Sequence, residues 1–346
     1  MSNLLIIILV LVVVIAVSCA TLNVPTYQGE KTDHFDGKKF HDPDGRGLGD
    51  FGKLMKYNRQ NKKAKWEFQE TSDFSLEQID NFTTEGKVRY FHINHATVLM
   101  QMDGMNILTD PVYSKRASPI SWAGPKRFRD PGIPFDKLPK IDAVLISHDH
   151  YDHLDISTLK KLRDRDNPTI LAGLGLKGFL RKFKLENVVE LDWNEETEIN
   201  GLTFTFTQAI HWSNRAFSPR KTLWGGYVIK GSSSIFFAGD TAYGPHFTDI
   251  KEKYGPFDLA LIPVGAYTPR FFMLQVHMDP QQAFQTHMDV DAKESYAIHW
   301  GTFQLTHEGM YDPVDELTVA CDSAGVDNFY FDRLAGGARI TGEVKE

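Results

Sequence analysis

Residues 147–155 read Ser-His-Asp-His-Tyr-Asp-His-Leu-Asp, placing His148, His150 and His153 beside Asp149, Asp152 and Asp155. Neutral imidazole nitrogen and carboxylate oxygen are the donor set that suits zinc where thiolates are absent, and other divalent metals accept the same donors. The run follows Ala143-Val144-Leu145-Ile146, a continuous apolar stretch that reads as a buried strand. His148 and His150 are two residues apart, so on a locally extended chain both project to one side. Asp152 and His153, just beyond, can turn toward a second ion.

One loop cannot complete two metal sites, and three later strand ends offer further donors. Thr203–Thr207 alternates polar and apolar residues, reads as a half-buried strand, and runs on to His211. Ser234–Ala238 is a strand that leads into Gly239-Asp240-Thr241, and Ser295–Ile298 is one that ends at His299. A lone His after a strand is more often a satisfied structural residue than a ligand. Four strand ends with suitable donors in one chain reverse that expectation.

The order His-x-His-x-Asp-His, then His, then Asp, then His resembles the dinuclear signature of the metallo-β-lactamase superfamily. The resemblance implies an α/β fold, the αββα sandwich, with the metals at one edge of its two sheets. It implies one zinc on His148, His150 and His211, a second on Asp152, His153 and His299, and Asp240 as a bridge. A narrower resemblance joins the chain to the branch that holds the N-acylphosphatidylethanolamine-hydrolysing phospholipase D and its bacterial relatives. It is carried by His95-Ala96-Thr97, Leu108-Thr109-Asp110-Pro111, Gly124-Pro125-Lys126-Arg127, Trp224-Gly225-Gly226 and His299-Trp300-Gly301, and it extends from about His34 to about Pro313. Two departures are Asn94, where relatives often have Gly, and Val276 before His277.

The branch implies cleavage of a phosphodiester by a metal-bound hydroxide, with no Ser or Cys nucleophile and with departure on the headgroup side. The alternative is a metal-dependent lactonase or β-lactamase-like hydrolase, because the same nucleophile attacks a carbonyl carbon. Asp152 and His277 are the candidate catalytic residues, with His277 placed to contact phosphate or protonate the leaving group. Tyr151 and His277 are the candidate substrate contacts. His95, Thr241 and Asp155 are expected to support ligands rather than to hold metal.

At 346 residues and 42% hydrophobic content the chain has material for a substantial core. Its formal charge of -7 disfavours a nucleic-acid partner. A basic cluster, Lys115, Arg116, Lys126, Arg127 and Arg129, is either a solvated face or a contact for anionic headgroups. Two cysteines, Cys19 and Cys321, give no disulfide framework. Leu4–Val17 is short for a spanning helix and suits a signal-peptide core, and Ala16-Val17-Ser18-Cys19 resembles a lipoprotein cleavage box, although Met1-Ser2-Asn3 lacks a basic residue. Either lipidation at Cys19 or an uncleaved anchor through Leu22 would put the protein on a membrane, with phospholipid as its partner and substrate. A homodimer is among the assemblies open to it. The expected organisation is 1–22 signal or anchor, 23–86 a polar lead segment packing on the core with a helix near Phe51–Asn58, and 87–346 the catalytic domain. Within it, helices are expected at Ile156–Arg163, Leu174–Phe183 and Pro280–His287.

Overall fold

The computed structural model describes residues 22–46, 49–70, 82, 84–333 and 338–342. The Leu4–Val17 run and Cys19 lie outside the described residues. Among those described, no helix is long and apolar enough to cross a membrane.

Helix α1 spans Phe51–Gln60 in the lead segment. The first half of the fold then runs β1 (Arg89–Asn94), β2 (Thr97–Met102), β3 (Met105–Thr109), β4 (Ala143–Ile146), α2 (Ile156–Arg165), β5 (Thr169–Gly173), α3 (Leu176–Arg181) and β6 (Val188–Leu191). The second half begins with β7 (Glu196–Ile199), β8 (Leu202–Thr207), a small hairpin of β9 (Asn214–Arg215) and β10 (Ser218–Pro219), β11 (Gly226–Lys230) and β12 (Ser234–Phe237). It continues through α4 (His246–Tyr254), β13 (Leu259–Pro263), α5 (Arg270–Met273), α6 (Pro280–Asp289), β14 (Ser295–Ile298), α7 (Asp312–Ala324), β15 (Phe329–Tyr330) and β16 (Ala338–Ile340). One seven-stranded sheet has the order β16-β1-β2-β3-β4-β5-β6, and the other β15-β14-β13-β12-β11-β8-β7. Each sheet joins an antiparallel part to a parallel one: β3 to β6 in the first and β12 to β15 in the second are parallel.

Period-two side-chain placement builds three apolar layers from these strands. In β4, Ala143 and Leu145 face the core between the sheets, while Val144 and Ile146 face the layer that holds Leu159 and Leu162 of α2 and Phe179 and Leu180 of α3. In β13, Leu259 and Leu261 point inward, while Ala260 and Ile262 pack with Phe247, Ala283, Phe284, Val314 and Leu317 from α4, α6 and α7. Strands covered on both faces read as continuous apolar runs, which is why β4 lacks alternation. Truncating Leu145 to Ala would cost ~2–5 kcal/mol, because both sheets fix the walls of the resulting cavity. The architecture is the αββα sandwich.

Several local outcomes have local causes. β4 and β14 have the bounds expected from their apolar runs. α2 is capped by Asp155, whose carboxylate accepts from Ser157 N, and α6 has a capping box between Asp279 and Gln282 with Pro280 in its first turn. α3 starts later than its apolar pattern suggests, because Gly175 is left-handed at φ 89° and ends any helical continuation from Leu174. β8 is buried on both faces rather than half-buried, since Thr205 and Thr207 are covered as well as Phe204 and Phe206. The lead segment contributes Phe35 and Phe40 to the core between the sheets, and Trp66 Nε1 donates to Glu308 O.

Candidate metal centre

The C-terminal ends of β4, β8, β12 and β14 converge at one edge of the sandwich. They bring together all seven predicted donors: His148, His150, Asp152, His153, His211, Asp240 and His299. Two groups form. In the first, His148 Nε2 lies 2.8 Å from His150 Nδ1, which lies 3.3 Å from His211 Nε2. In the second, Asp152 Oδ2 lies 3.6 Å from both His153 Nε2 and His299 Nε2. Asp240 sits between them. Its Oδ2 is 3.9 Å and 3.7 Å from His148 and His211 Nε2, and 3.2 Å and 3.1 Å from His153 and His299 Nε2. The expected alternation holds in the loop: His148 and His150 converge, while Asp149 between them faces Arg215 and Thr222.

The rear of the site orients these rings. Asp110 is fully buried at the end of β3 and accepts from Ser147 N (2.8 Å), Ser147 Oγ (2.6 Å) and His153 Nδ1 (2.7 Å). That contact puts the His153 proton on Nδ1 and leaves Nε2 facing Asp240. His211 Nδ1 donates to Val276 O at 2.7 Å, and His148 Nδ1 lies 2.9 Å from Ser147 Oγ. His95 Nε2 meets Asp152 Oδ2 at 3.1 Å. Thr241 Oγ1 accepts from Ile210 N, holding the turn before His211. Asp155 accepts from Tyr113 N, Ser114 N and Thr158 Oγ1, so it ties the loop after β3 to α2 without facing the site. His95, Asp110, Ala266 and His299 all have left-handed backbone, at φ 43°, 32°, 62° and 62°. Such geometry is sterically disfavoured for non-glycine residues and gathers where a site dictates side-chain direction.

Burial, reinforced by neighbouring imidazoles, holds His148 well below its ordinary pKa and His150 down at about 3. His211 is also lowered, to about 4, chiefly by burial. These three rings are neutral at pH 7, the form that offers a lone pair to a cation. Burial also acts against the charged forms of His153 and His299, but Asp240 and Asp152 outweigh it and hold both above the ordinary range, His299 at about 9. The same contacts keep the Asp152 and Asp240 carboxylates ionised despite their burial. His153 Nε2, His299 Nε2 and Asp240 Oδ1 are buried without hydrogen-bond partners among the described residues. Buried polar atoms of this kind are costly without a partner, and a cation would take them once the Nε2 protons of His153 and His299 leave, so the donor set fits divalent metal.

The site opens into a cavity of about 310 Å³. Its polar floor includes His150, Asp152, Asp240 and His277, and its walls include Leu54, Trp212, Phe272, Met273 and Leu305. His277 Nδ1 is 3.9 Å from Asp240 Oδ2, and burial holds its pKa well below the ordinary value. It therefore meets a substrate as neutral imidazole, not as imidazolium. The apolar Phe271–Leu274 stretch supplies a cavity wall through Phe272 and Met273. Tyr151 instead lines a second cavity, with Arg215 stacked 4.3 Å over its ring. The basic cluster divides. Arg127 donates to Val112 O and Ser114 O, and Arg129 stacks on Trp300, while Lys115 and Lys126 are exposed.

Asp110 was not among the predicted site residues, although its place at a strand end before Pro111 is the signal that marked the other donors. It feeds a ring nitrogen rather than the centre itself, and no spacing rule distinguishes the two roles.

The Beta-lactamase superfamily domain matches residues 105–300. An uncharacterized protein of Mycobacterium tuberculosis is 40% identical over 66% of this chain and 62% of its own length, so the chain spans less than two thirds of that relative. An N-acyl-phosphatidylethanolamine-hydrolyzing phospholipase D of Caenorhabditis elegans is 40% identical over 70% of this chain and 72% of its own. In fold, the chain is similar to Igni18, a metallo hydrolase from Ignicoccus hospitalis, with a TM-score of 0.56 at 19% identity, covering 75% of this chain and all of that one. The β-sandwich, the helices on its outer faces and the domain match give one conclusion: the chain belongs to the metallo-β-lactamase superfamily.

Proposed function

We propose that the protein is a phospholipase D-type phosphodiesterase acting on N-acylphosphatidylethanolamine-like lipids with two zinc ions. His148, His150 and His211 would hold one ion, Asp152, His153 and His299 the other, and Asp240 both. The observation that carries this reading is an apolar-walled cavity whose floor is the donor cluster, in a chain 40% identical to a phospholipase D of that kind. When bound, the metals supply an acidified water and neutralise charge on the phosphoryl oxygens. The chain's own residues do the rest. Leu54, Phe272, Met273 and Leu305 offer acyl chains an apolar surface and exclude water. His277, neutral and beside Asp240, is placed to accept a proton or to donate a hydrogen bond to a phosphoryl oxygen. His95 holds the Asp152 carboxylate in place.

The membrane reading belongs to the same proposal: lipidated Cys19, or else an uncleaved anchor running through Leu22, would tether the enzyme beside its substrate, and a single acyl chain would need a second contact to hold it there. The test is a substrate panel given to zinc-loaded protein: N-acylated and plain phosphatidylethanolamine, a water-soluble phosphodiester, a lactone and a β-lactam. Release of phosphatidic acid, abolished by chelator and restored by zinc, is expected. Turnover of the lactone with no lipid cleavage would replace this reading with a lactonase.

A further inference from the structure

Helix α1 is on the surface and buries none of its residues. Leu54 and Asn58 on one side of it line the cavity that leads to the donor cluster. At 3.6 residues per turn, Phe51 and Met55 come next around the helix, followed by Arg59, Lys56 and Lys53. Phe51 is 56% exposed and Met55 61% exposed, and the two are neighbours on one helix face rather than scattered singly. Phe271 stands beyond the cavity-facing side of the helix: it is 48% exposed and meets Tyr57 edge-on, with ring centroids 5.9 Å apart. Phe51 packs in the same way on Phe272 at 5.1 Å, which fixes α1 to the cavity wall.

Charge is as uneven as polarity. Residues 51–66 contain Lys53, Lys56, Arg59, Lys62, Lys63 and Lys65 and no acidic residue, in a chain whose formal charge is -7. An apolar ridge flanked by cations on one short helix is the pattern of a helix that lies in a lipid–water interface. The charge selects the partner: an anionic surface attracts this helix, whereas the chain as a whole would be repelled by it.

We infer that α1, with Phe271, is an interfacial docking element that seats the cavity mouth on an anionic lipid bilayer. Phe51, Met55 and Phe271 enter the headgroup region, and Lys53, Lys56 and Arg59 pair with lipid phosphates beside them. A lipid leaving the bilayer then passes Leu54 into the cavity without crossing water. The docking surface is separate from the basic cluster at Lys115–Arg129, two of whose five cations are buried. The delivery step rests on the lipid-substrate reading, whereas the docking itself does not.

The test is hydrogen–deuterium exchange on the full zinc-loaded chain, alone, with phosphatidylcholine vesicles, and with vesicles that also contain phosphatidylglycerol. Amides of Phe51–Gln60 should exchange more slowly with the anionic vesicles only, while α7, whose Val319 is exposed elsewhere, stays unchanged. The triple variant Lys53→Glu, Lys56→Glu, Arg59→Glu should lose that protection. It should also raise the KM for vesicle lipid on the order of 100-fold, with turnover of a water-soluble phosphodiester unchanged. Exchange in α1 that is identical with and without anionic vesicles overturns the inference. So does protection that survives the triple substitution. If α1 is protected but the wild-type chain cleaves no lipid, docking stands and the substrate reading falls.

Discussion

Asp110→Asn separates the orientation of a donor from its presence. Asp110 Oδ1 accepts from Ser147 N at 2.8 Å, while Oδ2 accepts from Ser147 Oγ at 2.6 Å and His153 Nδ1 at 2.7 Å. An asparagine that keeps the Ser147 N bond turns its amino group toward His153 Nδ1, donor against donor. The His153 proton then moves to Nε2, the nitrogen that faces Asp240 at 3.2 Å and would hold metal. Two energies compete in the ion-free fold. Losing a charge-assisted hydrogen bond costs ~1.5–3 kcal/mol, but burial already acts against the Asp110 carboxylate and raises its pKa, so the neutral amide recovers part of that loss. Metal affinity has no such offset. The ion at the His153 side should bind about 10–100-fold more weakly, or ~1.4–2.7 kcal/mol, and the ion at His148, His150 and His211 should lose less, since Asp110 reaches His148 only through Ser147 Oγ. Zinc titration of the ion-free protein against a chromogenic chelator reads the two sites separately, with far-UV circular dichroism confirming the fold. Two sites of unchanged affinity in a folded Asn variant would refute the argument that Asp110 sets the His153 tautomer.

Two further perturbations follow from the packing. A Cβ on Gly265 would overlap the His299 carbonyl oxygen, so Gly265→Ala should cost ~3 kcal/mol or more in urea unfolding and reduce metal retention; unchanged unfolding would show that the β13 and β14 ends are not closely locked. His246 is held down to about 3 by burial, with Arg46 adding to the effect. The unfolded chain therefore binds a proton that the folded one refuses as pH falls from about 6.5 toward 3, and stability drops by about 1.4 kcal/mol per pH unit in that window. His246→Gln should lower the slope by one proton, and an unchanged slope would show that His246 titrates alike in both states.

The donors were legible in the sequence because each ends or follows an apolar run, and the C-terminal strand ends of both sheets converge at one edge of the sandwich. The pairing of His148 with His150 followed from alternation alone. Side-chain direction beyond the strands was not legible. Tyr151 lies in a turn, where alternation fails, and it faces Arg215 and the second cavity. Arg127 and Arg129 read as surface charge because their partners, backbone carbonyls and Trp300, are distant or carry no polarity in the pattern. The support from Val276 O to His211 is a backbone contact across 65 positions, which no residue type announces.

The central claim is that two ions flank Asp240 and make the chain a lipid phosphodiesterase. Its most direct test is stepwise addition of zinc to chelator-stripped protein, following phosphatidic acid released from N-acylphosphatidylethanolamine. Activity should rise from zero to a plateau at two zinc ions per chain, and Asp240→Ala should show neither the binding nor the plateau. Full activity in the stripped protein, or an Asp240→Ala variant that binds two ions and turns over normally, would contradict the account.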